Sequence, residues 1–284
     1  MAGAVQMSVI SGDGLTEAQL AGYLDRIGLA TPPAPDLAGL SALVEAHRAS
    51  IPFENYDVLL GRGVSLDRER LFDKLVTRRR GGYCFEQNGL FGDVLATLGF
   101  DARALLGRVW LMNEGGTPPR THTLLVVTID GVEWTADVGF GGSYVPPLRL
   151  VADEVVETAD GARHRLRHDA AHGWMLERQG SGEWQPQYSF TTDPVFPADL
   201  ELSNHYTGTA PGTRFLVMDF AGLALQGGSV MLVRRQYSRH GDGEEAAAGR
   251  EVTDPAEYRA ILSDQFGIGL SAEEVAALPI FTDS

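Results

Sequence analysis

Cysteine is almost absent from this sequence: Cys84 is the only one among 284 residues. A single cysteine excludes an internal disulfide, and it excludes zinc sites built from several thiols. No apolar run approaches the roughly 18–20 residues that a membrane-spanning helix needs. The first residues, M-A-G-A-V-Q-M-S-V-I-S-G-D-G, lack the cationic start and the long apolar stretch of a secretory signal peptide. We therefore expect a cytoplasmic protein with no membrane partner.

Positive charge is also scarce, since 23 basic residues face 38 acidic ones and the formal net charge is −15. That charge repels a phosphate backbone, so we expect no nucleic-acid partner. His164, His168 and His172 repeat every four residues, but they lie in a strand-like region before Gly173, and we expect no metal there. Hydrophobic residues make up 44% of the chain, which is typical of a globular protein.

Apolar residues recur at helical spacing through the first hundred residues of the chain. The last of these patterns follows Gly81-Gly82, continues to Leu98 and is ended by Gly99. We therefore predict a small helical bundle for residues 1–100. The four helical patterns cover residues 15–28, 37–50, 67–76 and 83–98.

Beyond the bundle the apolar spacing changes to that of strands. Short strand-like runs with turn residues between them predict an antiparallel sheet or barrel over residues 101–197. Residues 198–284 then contain a helical stretch, a predicted strand pair within 214–237, a low-complexity loop at 241–249 and two closing helices. The whole pattern predicts an α+β fold in three segments, with the first ending at residue 100.

A hairpin in the second segment sets two polar side chains beside each other. Asp130-Gly131 separates two strand patterns and predicts a two-residue turn. That turn pairs Leu124 with Asp137 across the hairpin. His122 is then the diagonal neighbour of Asp137, with about 7–8 Å between the two backbones. A carboxylate next to an imidazole orients the ring and favours its charged form. The alternative is that His122 is a satisfied core histidine and Asp137 only ends a strand.

Cys84 follows two glycines in what we predict to be the first turn of a helix. The free N–H groups and the positive end of the helix dipole favour a thiolate there, and the same N–H groups can hold an oxyanion. His122 and Asp137 supply the other parts of a Cys-His-Asp relay. Papain-type enzymes place far more residues between cysteine and histidine than this chain does, so they are a poor match. The alternative is a small, buried and inert thiol.

Four motifs in order, I-P-F-E-N-Y, R-G-G-Y-C-F-E-Q-N, T-H-T-L-L-V-V and D-V-G-F-G-G, resemble the arylamine N-acetyltransferase family. The resemblance covers about residues 15–220. It implies a helical bundle, a β-barrel and an α/β lid, with the active site where bundle and barrel meet. It also implies a ping-pong reaction in which acetyl-CoA donates an acetyl group to an arylamine, an arylhydrazine or an N-hydroxyarylamine, without a metal.

The same resemblance implies a role for each matched residue. Cys84 corresponds to the nucleophile, His122 to the base and imidazolium partner, and Asp137 to the group that orients the histidine. Phe140, with Gly141 beside it, corresponds to an aromatic wall of the acceptor pocket; the alternative for Phe140 is ordinary core packing.

Two further residues match positions that form a buried ion pair in the family. These are Glu54 of I-P-F-E-N-Y and Arg80 of R-G-G-Y-C-F-E-Q-N. The resemblance implies that this pair braces the site and has a structural role rather than a chemical one.

The chain departs from the family pattern at residues 203–215, which are S-N-H-Y-T-G-T-A-P-G-T-R-F, with Ala210 where a histidine is usual. That region shapes the coenzyme cleft in the family, so the acyl donor is open. One alternative is an amide synthase that takes a polyketide from an acyl carrier protein and releases it by attack of an internal aryl amine. A transglutaminase-like or peptidase reaction and a binding module without catalysis are further alternatives.

Overall fold

The fold is described from a computed structural model that covers residues 14–142, 144–225, 227–241 and 244–282. The opening segment that argues against a signal peptide falls almost wholly in residues 1–13, which lie outside the described residues. Within the described ranges, no helix has both the length and the apolar content needed to cross a membrane.

The amino-terminal segment forms helices that begin and end where the sequence pattern indicates. Thr16 accepts the Gln19 N–H at the start of the first helix, and Gly28, with φ of 75°, ends it. Asp67 caps a later helix by accepting the Arg70 N–H. The elements are α1 (Glu17–Ile27), α2 (Leu37–Ser50), β1 (Phe53–Glu54), α3 (Tyr56–Leu59), α4 (Arg68–Phe72) and α5 (Cys84–Thr97).

The helix predicted to run to Val76 changes its pitch on the way. After α4 the chain forms a π-helical turn, Asp73–Thr77, in which Lys74, Leu75 and Val76 are all buried. A π-turn inserts an extra residue into the helical repeat and is frequent at functional sites. Here it lies directly before the R-G-G-Y-C motif and turns the Lys74 ammonium toward α5.

The middle segment is an eight-stranded antiparallel sheet that curls into a nearly closed barrel. The strands are β2 (Asp101–Val109), β3 (Arg120–Ile129), β4 (Val132–Ala136), β5 (Leu148–Arg149), β6 (Val155–Glu157), β7 (Arg163–Asp169), β8 (Gly173–Gln179) and β9 (Gln185–Phe190). Their spatial order is β5-β4-β3-β2-β9-β8-β7-β6, so β2, the first strand of the barrel in sequence, pairs with β9, the last.

The carboxyl-terminal segment contains more sheet than the sequence predicted. The prediction of a strand pair was incomplete, because the described residues of this segment form four strands. The predicted loop at 241–249 was wrong, because a strand begins at Glu244. Backbone pairing with a neighbouring strand overrides the weak strand propensity of a run rich in alanine and glutamate. The elements are α6 (Pro197–Thr209), β10 (Phe220–Leu225), β11 (Gly228–Val233), β12 (Gln236–Gly241), β13 (Glu244–Glu251), α7 (Pro255–Phe266), α8 (Ala272–Ala276) and α9 (Pro279–Thr282).

The helical segment and the carboxyl-terminal segment share this sheet. β1, from the amino-terminal segment, pairs with β10 through Phe53 opposite Gly222 and Glu54 opposite Ala221. Two residues of the I-P-F-E-N-Y motif, Phe53 and Glu54, therefore form the edge strand of the lid sheet, although they lie among the helices in sequence. A short parallel bridge joins Phe53 to Gly82, which ties that sheet to the turn before the cysteine.

Candidate active site

The start of α5 sets the position of the thiol. Tyr83 has extended backbone and precedes the helix, and its N–H donates to Oε2 of Glu86 at 3.0 Å. A Cβ on Gly82 would lie 2.7 Å from that Glu86 oxygen, so only glycine fits the turn. Cys84 is the first residue of the helix and is buried in a small apolar cluster with Phe85. The thiol therefore lies at the amino-terminal end of the helix, inside the protein.

The β3–β4 hairpin positions His122, which lies in β3, and Asp137, which directly follows β4. Asp130 and Gly131 have φ values of 50° and 76° and form the two-residue turn that the sequence predicts. The predicted register is confirmed, because Ile129 pairs with Val132 and this pairing continues along the hairpin. His122 Nε2 lies 2.7 Å from Asp137 Oδ2, and both side chains are buried.

The thiol and the imidazole are in contact. The interaction of Cys84 with His122 contributes to the raised pKa of that imidazole, and the Cys84 Sγ lies 3.8 Å from the Thr121 carbonyl oxygen. Because Nε2 of His122 is bound to Asp137, Nδ1 is the ring nitrogen that remains for the thiol. Cys84, His122 and Asp137 thus form one continuous chain of contacts.

The electrostatics of this chain favour a charged imidazole. Burial alone lowers the pKa of His122, but the attraction of Asp137, with hydrogen bonds to Asp137 and Cys84, raises it to about 10. Burial raises the pKa of Asp137, and the charge and hydrogen bond of His122 together with the Asn88 hydrogen bond outweigh this and lower it. At neutral pH the pair is therefore imidazolium and carboxylate, and the positive ring faces the sulfur.

Asn88 is a site residue that the sequence did not single out, although it ends the R-G-G-Y-C-F-E-Q-N motif. Its Nδ2 donates to Oδ1 of Asp137 at 3.0 Å and to the Thr123 carbonyl oxygen at 2.8 Å, while its Oδ1 accepts the Val138 N–H. Asn88 lies four residues after Cys84, which puts both on one face of α5. That spacing is the signal by which the sequence could have identified it.

Phe140 and Gly141 lie where the barrel opens beside His122. The Phe140 ring is 5.3 Å from the His122 ring and 5.0 Å from the Tyr188 ring, measured between centroids, and each pair meets edge to face. Tyr188 comes from β9 and also contacts His122, at 4.8 Å. The sequence did not indicate Tyr188, because β9 reaches the site only through its pairing with β2.

Glu54 and Arg80 form a buried ion pair behind the R-G-G turn, with Arg80 Nη2 2.7 Å from Glu54 Oε1. Lys74, which the sequence did not suggest for the site, extends this pair into a cluster. Its ammonium lies 2.7 Å from both Asp57 Oδ2 and Glu86 Oε1. Since Glu86 also accepts the Tyr83 N–H, the cluster holds the residue directly before Cys84.

Within the described residues, no group of three or more histidine, cysteine, aspartate or glutamate side chains is placed to hold a metal. The histidines that repeat every four residues are separated in the structure. His164 is buried inside the barrel, His168 packs edge to face on Trp174, and His172 pairs with Asp169 at 3.0 Å.

Sequence comparison shows which proteins share these elements. A family model described as N-acetyltransferase matches residues 36–275. An arylamine N-acetyltransferase of Mycolicibacterium smegmatis is 44% identical over 264 residues, which cover 88% of this chain and 92% of that protein. The chain belongs to the arylamine N-acetyltransferase family.

Solved arylamine N-acetyltransferases have the same fold. The Salmonella typhimurium protein matches with a TM-score of 0.88 at 34% identity, covering 95% of this chain and 100% of that one. The Mycobacterium marinum protein in complex with CoA matches with a TM-score of 0.84 at 39% identity, covering 91% and 97%. A proansamycin X synthase of Amycolatopsis mediterranei is 32% identical over 249 residues, 85% of this chain and 94% of that protein. The predicted α+β fold and the predicted acyltransferase class are confirmed.

The segment that departs from the arylamine N-acetyltransferase pattern lies against the start of α5, the helix that begins at Cys84. Residues 203–209 belong to α6, where Asn204 accepts a hydrogen bond from the Tyr83 hydroxyl through Oδ1 and donates through Nδ2 to the Val64 carbonyl oxygen at 3.1 Å. Ala210 ends the helix. The segment that departs from the family pattern is therefore hydrogen-bonded to Tyr83, the residue directly before Cys84.

Gly139 provides a test of how tightly this arylamine N-acetyltransferase site is packed. A Cβ at Gly139 would lie 2.6 Å from the Cys84 Cα and 2.9 Å from the Cys84 carbonyl oxygen, so the backbones must separate. We expect Gly139→Ala to lower the free energy of unfolding by about 3 kcal/mol. Thermal unfolding measures this, and Gly116→Ala, where a Cβ meets nothing within 4 Å, is the matched control. Equal stability of the two variants would contradict the close approach.

Proposed function

We propose that this protein transfers the acetyl group of acetyl-CoA to aromatic amines, aromatic hydrazines and N-hydroxyarylamines through a thioester on Cys84. The observation that carries the proposal is the contact chain from Cys84 through His122 to Asp137 in a member of the arylamine N-acetyltransferase family. The CoA complex of the Mycobacterium marinum relative supports a CoA thioester as the donor.

In the first half-reaction the Cys84 thiolate attacks the carbonyl carbon of acetyl-CoA. The backbone N–H groups of Cys84 and Phe85 precede the first hydrogen bond of the helix turn, from Glu86 N–H to the Tyr83 carbonyl oxygen, and they face the developing oxyanion. The bond from carbon to the CoA sulfur then breaks. CoA leaves with the proton of the His122 imidazolium, and the acetyl group stays on Cys84.

In the second half-reaction the amine nitrogen attacks the acetyl carbon. His122, now neutral, accepts the proton that the nitrogen loses, and the bond from carbon to the Cys84 sulfur breaks. The products are an N-acetylated acceptor and the original pair of thiolate and imidazolium. With an N-hydroxyarylamine the hydroxyl oxygen attacks instead, His122 accepts the hydroxyl proton, and the product is O-acetylated. Asp137 holds the ring in the same orientation through both steps, because its carboxylate remains bound to Nε2.

An aromatic acceptor suits the surroundings of the thiol. Phe140 and Tyr188 present ring faces and edges next to His122, and aromatic rings favour offset or edge-to-face contact with one another. We also infer a cytoplasmic location, where reducing conditions keep a single thiol free.

Mass spectrometry of the intact protein tests the proposal. After mixing with acetyl-CoA, we expect one added acetyl group on Cys84 and release of one CoA per protein. Addition of a simple arylamine should remove that group and yield the acetylated amine. A folded protein that acquires no acetyl group would contradict the proposal.

An amide synthase is the second candidate function. Two observations favour it: the 32% identical proansamycin X synthase and the altered segment at 203–215. Such an enzyme would load Cys84 faster from a bulky carrier-bound thioester than from acetyl-CoA. It would also leave small amines almost unreacted, so the relative loading rates of the two thioesters decide between the candidates.

A further inference from the structure

The peptide group that joins Gly82 to Tyr83 is held at both of its polar atoms. Its N–H donates to Oε2 of Glu86 at 3.0 Å, and its carbonyl oxygen accepts a hydrogen bond from Nε2 of Gln87 at 2.8 Å. Glycine leaves the backbone beside it free to take many orientations, so these two contacts select one of them. Because Cys84 is the next residue, the orientation of this peptide decides where α5 and its thiol begin.

Glu86 uses one carboxylate oxygen for this peptide and the other for a cation. Oε2 accepts the Tyr83 N–H, whereas Oε1 lies 2.7 Å from the Lys74 ammonium. The Glu86 side chain is buried, and Lys74 is the only cation paired with it among the residues that the structure describes. Burial raises the pKa of Glu86, and the charge and hydrogen bond of Lys74 oppose that rise. The ammonium therefore favours the charged carboxylate and fixes which oxygen is left for Tyr83.

Lys74 is the only lysine among the 23 basic residues of the chain. Its carbonyl oxygen accepts the Arg80 N–H at 3.0 Å, and its ammonium also lies 2.7 Å from Oδ2 of Asp57. Burial lowers the pKa of Lys74, but the attraction of the carboxylates around it outweighs burial and raises this pKa, so the group stays charged. Asp57 is paired with Arg62 and Arg80 as well. Loss of the Lys74 ammonium therefore leaves cations at Asp57 and none at Glu86.

We infer that Lys74 is a positioning residue for acetyl transfer, because it binds one oxygen of Glu86 and so makes the other oxygen hold the Gly82–Tyr83 peptide. The inference rests on the function proposed above. The held peptide comes directly before Cys84, whose N–H faces the oxyanion in that mechanism. The ammonium also cancels the negative charge of Glu86 in the first turn of α5, where the thiolate forms.

Replacement of Glu86 by glutamine separates its two contacts. A glutamine side chain has one acceptor oxygen, and the Lys74 ammonium takes it, so the amide NH₂ faces the Tyr83 N–H and that hydrogen bond is lost. When Lys74 is replaced by glutamine in the same protein, the amide at position 86 can turn over. Its oxygen then accepts the Tyr83 N–H, and its NH₂ donates to the amide oxygen at position 74. The second substitution should therefore restore what the first removes.

The test measures acetylation of Cys84 by acetyl-CoA in a single turnover. We expect Glu86→Gln to lower the rate constant about tenfold through the lost hydrogen bond, with an unchanged half-saturating concentration of acetyl-CoA. We expect a similar loss in Lys74→Gln, because the charge of Glu86 is then uncompensated near the thiolate. The variant with both substitutions should return to within about threefold of the wild type.

Hydrogen exchange of the Tyr83 amide measures the same positioning without any acetyl group. The exchange should be about tenfold faster in Glu86→Gln and should return to the wild-type rate when Lys74→Gln is added. Arg68→Gln is the matched control, because Arg68 Nη2 lies 2.7 Å from Oδ1 of Asp93, two turns beyond Glu86 on α5. This control should lower Tm and leave both the acetylation rate and the Tyr83 exchange unchanged.

The variant with both substitutions decides the inference. If it is acetylated more slowly than either single variant, or fails to fold, Lys74 only braces the fold and the inference is overturned. Acetylation of Lys74→Gln at the wild-type rate would also overturn it. If Lys74→Gln alone does not fold, the comparison of Glu86→Gln with the double variant remains decisive. If wild-type Cys84 takes no acetyl group, the proposed function fails, and the exchange of the Tyr83 amide still decides the role of Lys74.

Discussion

Cys84→Ser removes acetyl transfer by at least about 10⁴-fold in kcat, and the variant carries no acetyl group after mixing with acetyl-CoA. The reason is that the imidazolium of His122 stabilises a thiolate, whereas a serine hydroxyl does not ionise near neutral pH and is a far weaker nucleophile. Mass spectrometry and CoA release measure both losses.

The fold of this variant should be intact, because serine is close to cysteine in size and can also donate to the Thr121 carbonyl oxygen that lies 3.8 Å from the Cys84 Sγ. An unchanged Tm is the control. Since the chain has no other cysteine, thiol titration of the variant should give zero. Acetylation of the serine, or turnover within tenfold of the wild type, would show that Cys84 is not the acyl carrier.

Asp137→Asn lowers kcat by about 10³–10⁴-fold, because the amide does not hold the imidazolium charge and leaves His122 in the wrong tautomer. The matched control is Asp169→Asn. It neutralises another aspartate of the barrel that pairs with a histidine, since Asp169 Oδ1 lies 3.0 Å from His172 Nδ1. That variant should keep full activity. Similar losses in the two variants would mean that the effect of Asp137 is not specific to the site.

The pH dependence of this effect follows from the two pKa shifts. Burial lowers the pKa of His122, but the attraction of Asp137 outweighs burial and raises this pKa from 6.5 to about 10. The contribution of protonated His122 to the free energy of unfolding is therefore complete below about pH 6.5 and is lost as pH rises toward 10. Burial raises the pKa of Asp137, but the charge and hydrogen bond of His122 outweigh burial and lower this pKa from 3.8. The contribution of the Asp137 carboxylate to the free energy of unfolding is therefore present above pH 3.8 and is lost in stronger acid. The ion pair therefore persists through neutral pH.

The rate at which iodoacetamide alkylates Cys84 tests the effect of the His122–Asp137 ion pair on the thiol. In the wild type we expect rapid alkylation at pH 6, because the imidazolium is present there. In Asp137→Asn the rate at pH 6 should fall at least about tenfold, because a neutral amide does not hold the charge of the His122 imidazolium. Equal rates in both proteins at pH 6 would refute the coupling between the carboxylate and the thiol.

Several features were predictable because they depend on residues that are close in sequence. The start of α5 follows from Gly81-Gly82 and the apolar stripe behind it, and the register of the hairpin follows from the Asp130-Gly131 turn. Local turn and cap chemistry determines both features. The structure then brings together the three side chains of the predicted relay.

Other parts of the site depend on contacts between distant segments. Tyr188 reaches His122 only because β9 pairs with β2, and Lys74 meets Glu86 only through the π-turn. Arg48, from α2, donates to the carbonyl oxygens of Asp137 at 3.3 Å and Gly142 at 3.2 Å, which fixes the loop that carries Phe140. None of these contacts has a local sequence signal.

The sequence by itself determined the order of elements, the motifs of the family and the pairing of His122 with Asp137, because turns, caps and periodicity act within a few residues. Only the tertiary structure decided that β1 joins the lid sheet, that residues 244–251 form a strand, and that Tyr188 contacts His122. Strand pairing and burial across long stretches of chain satisfy backbone groups that no local pattern specifies.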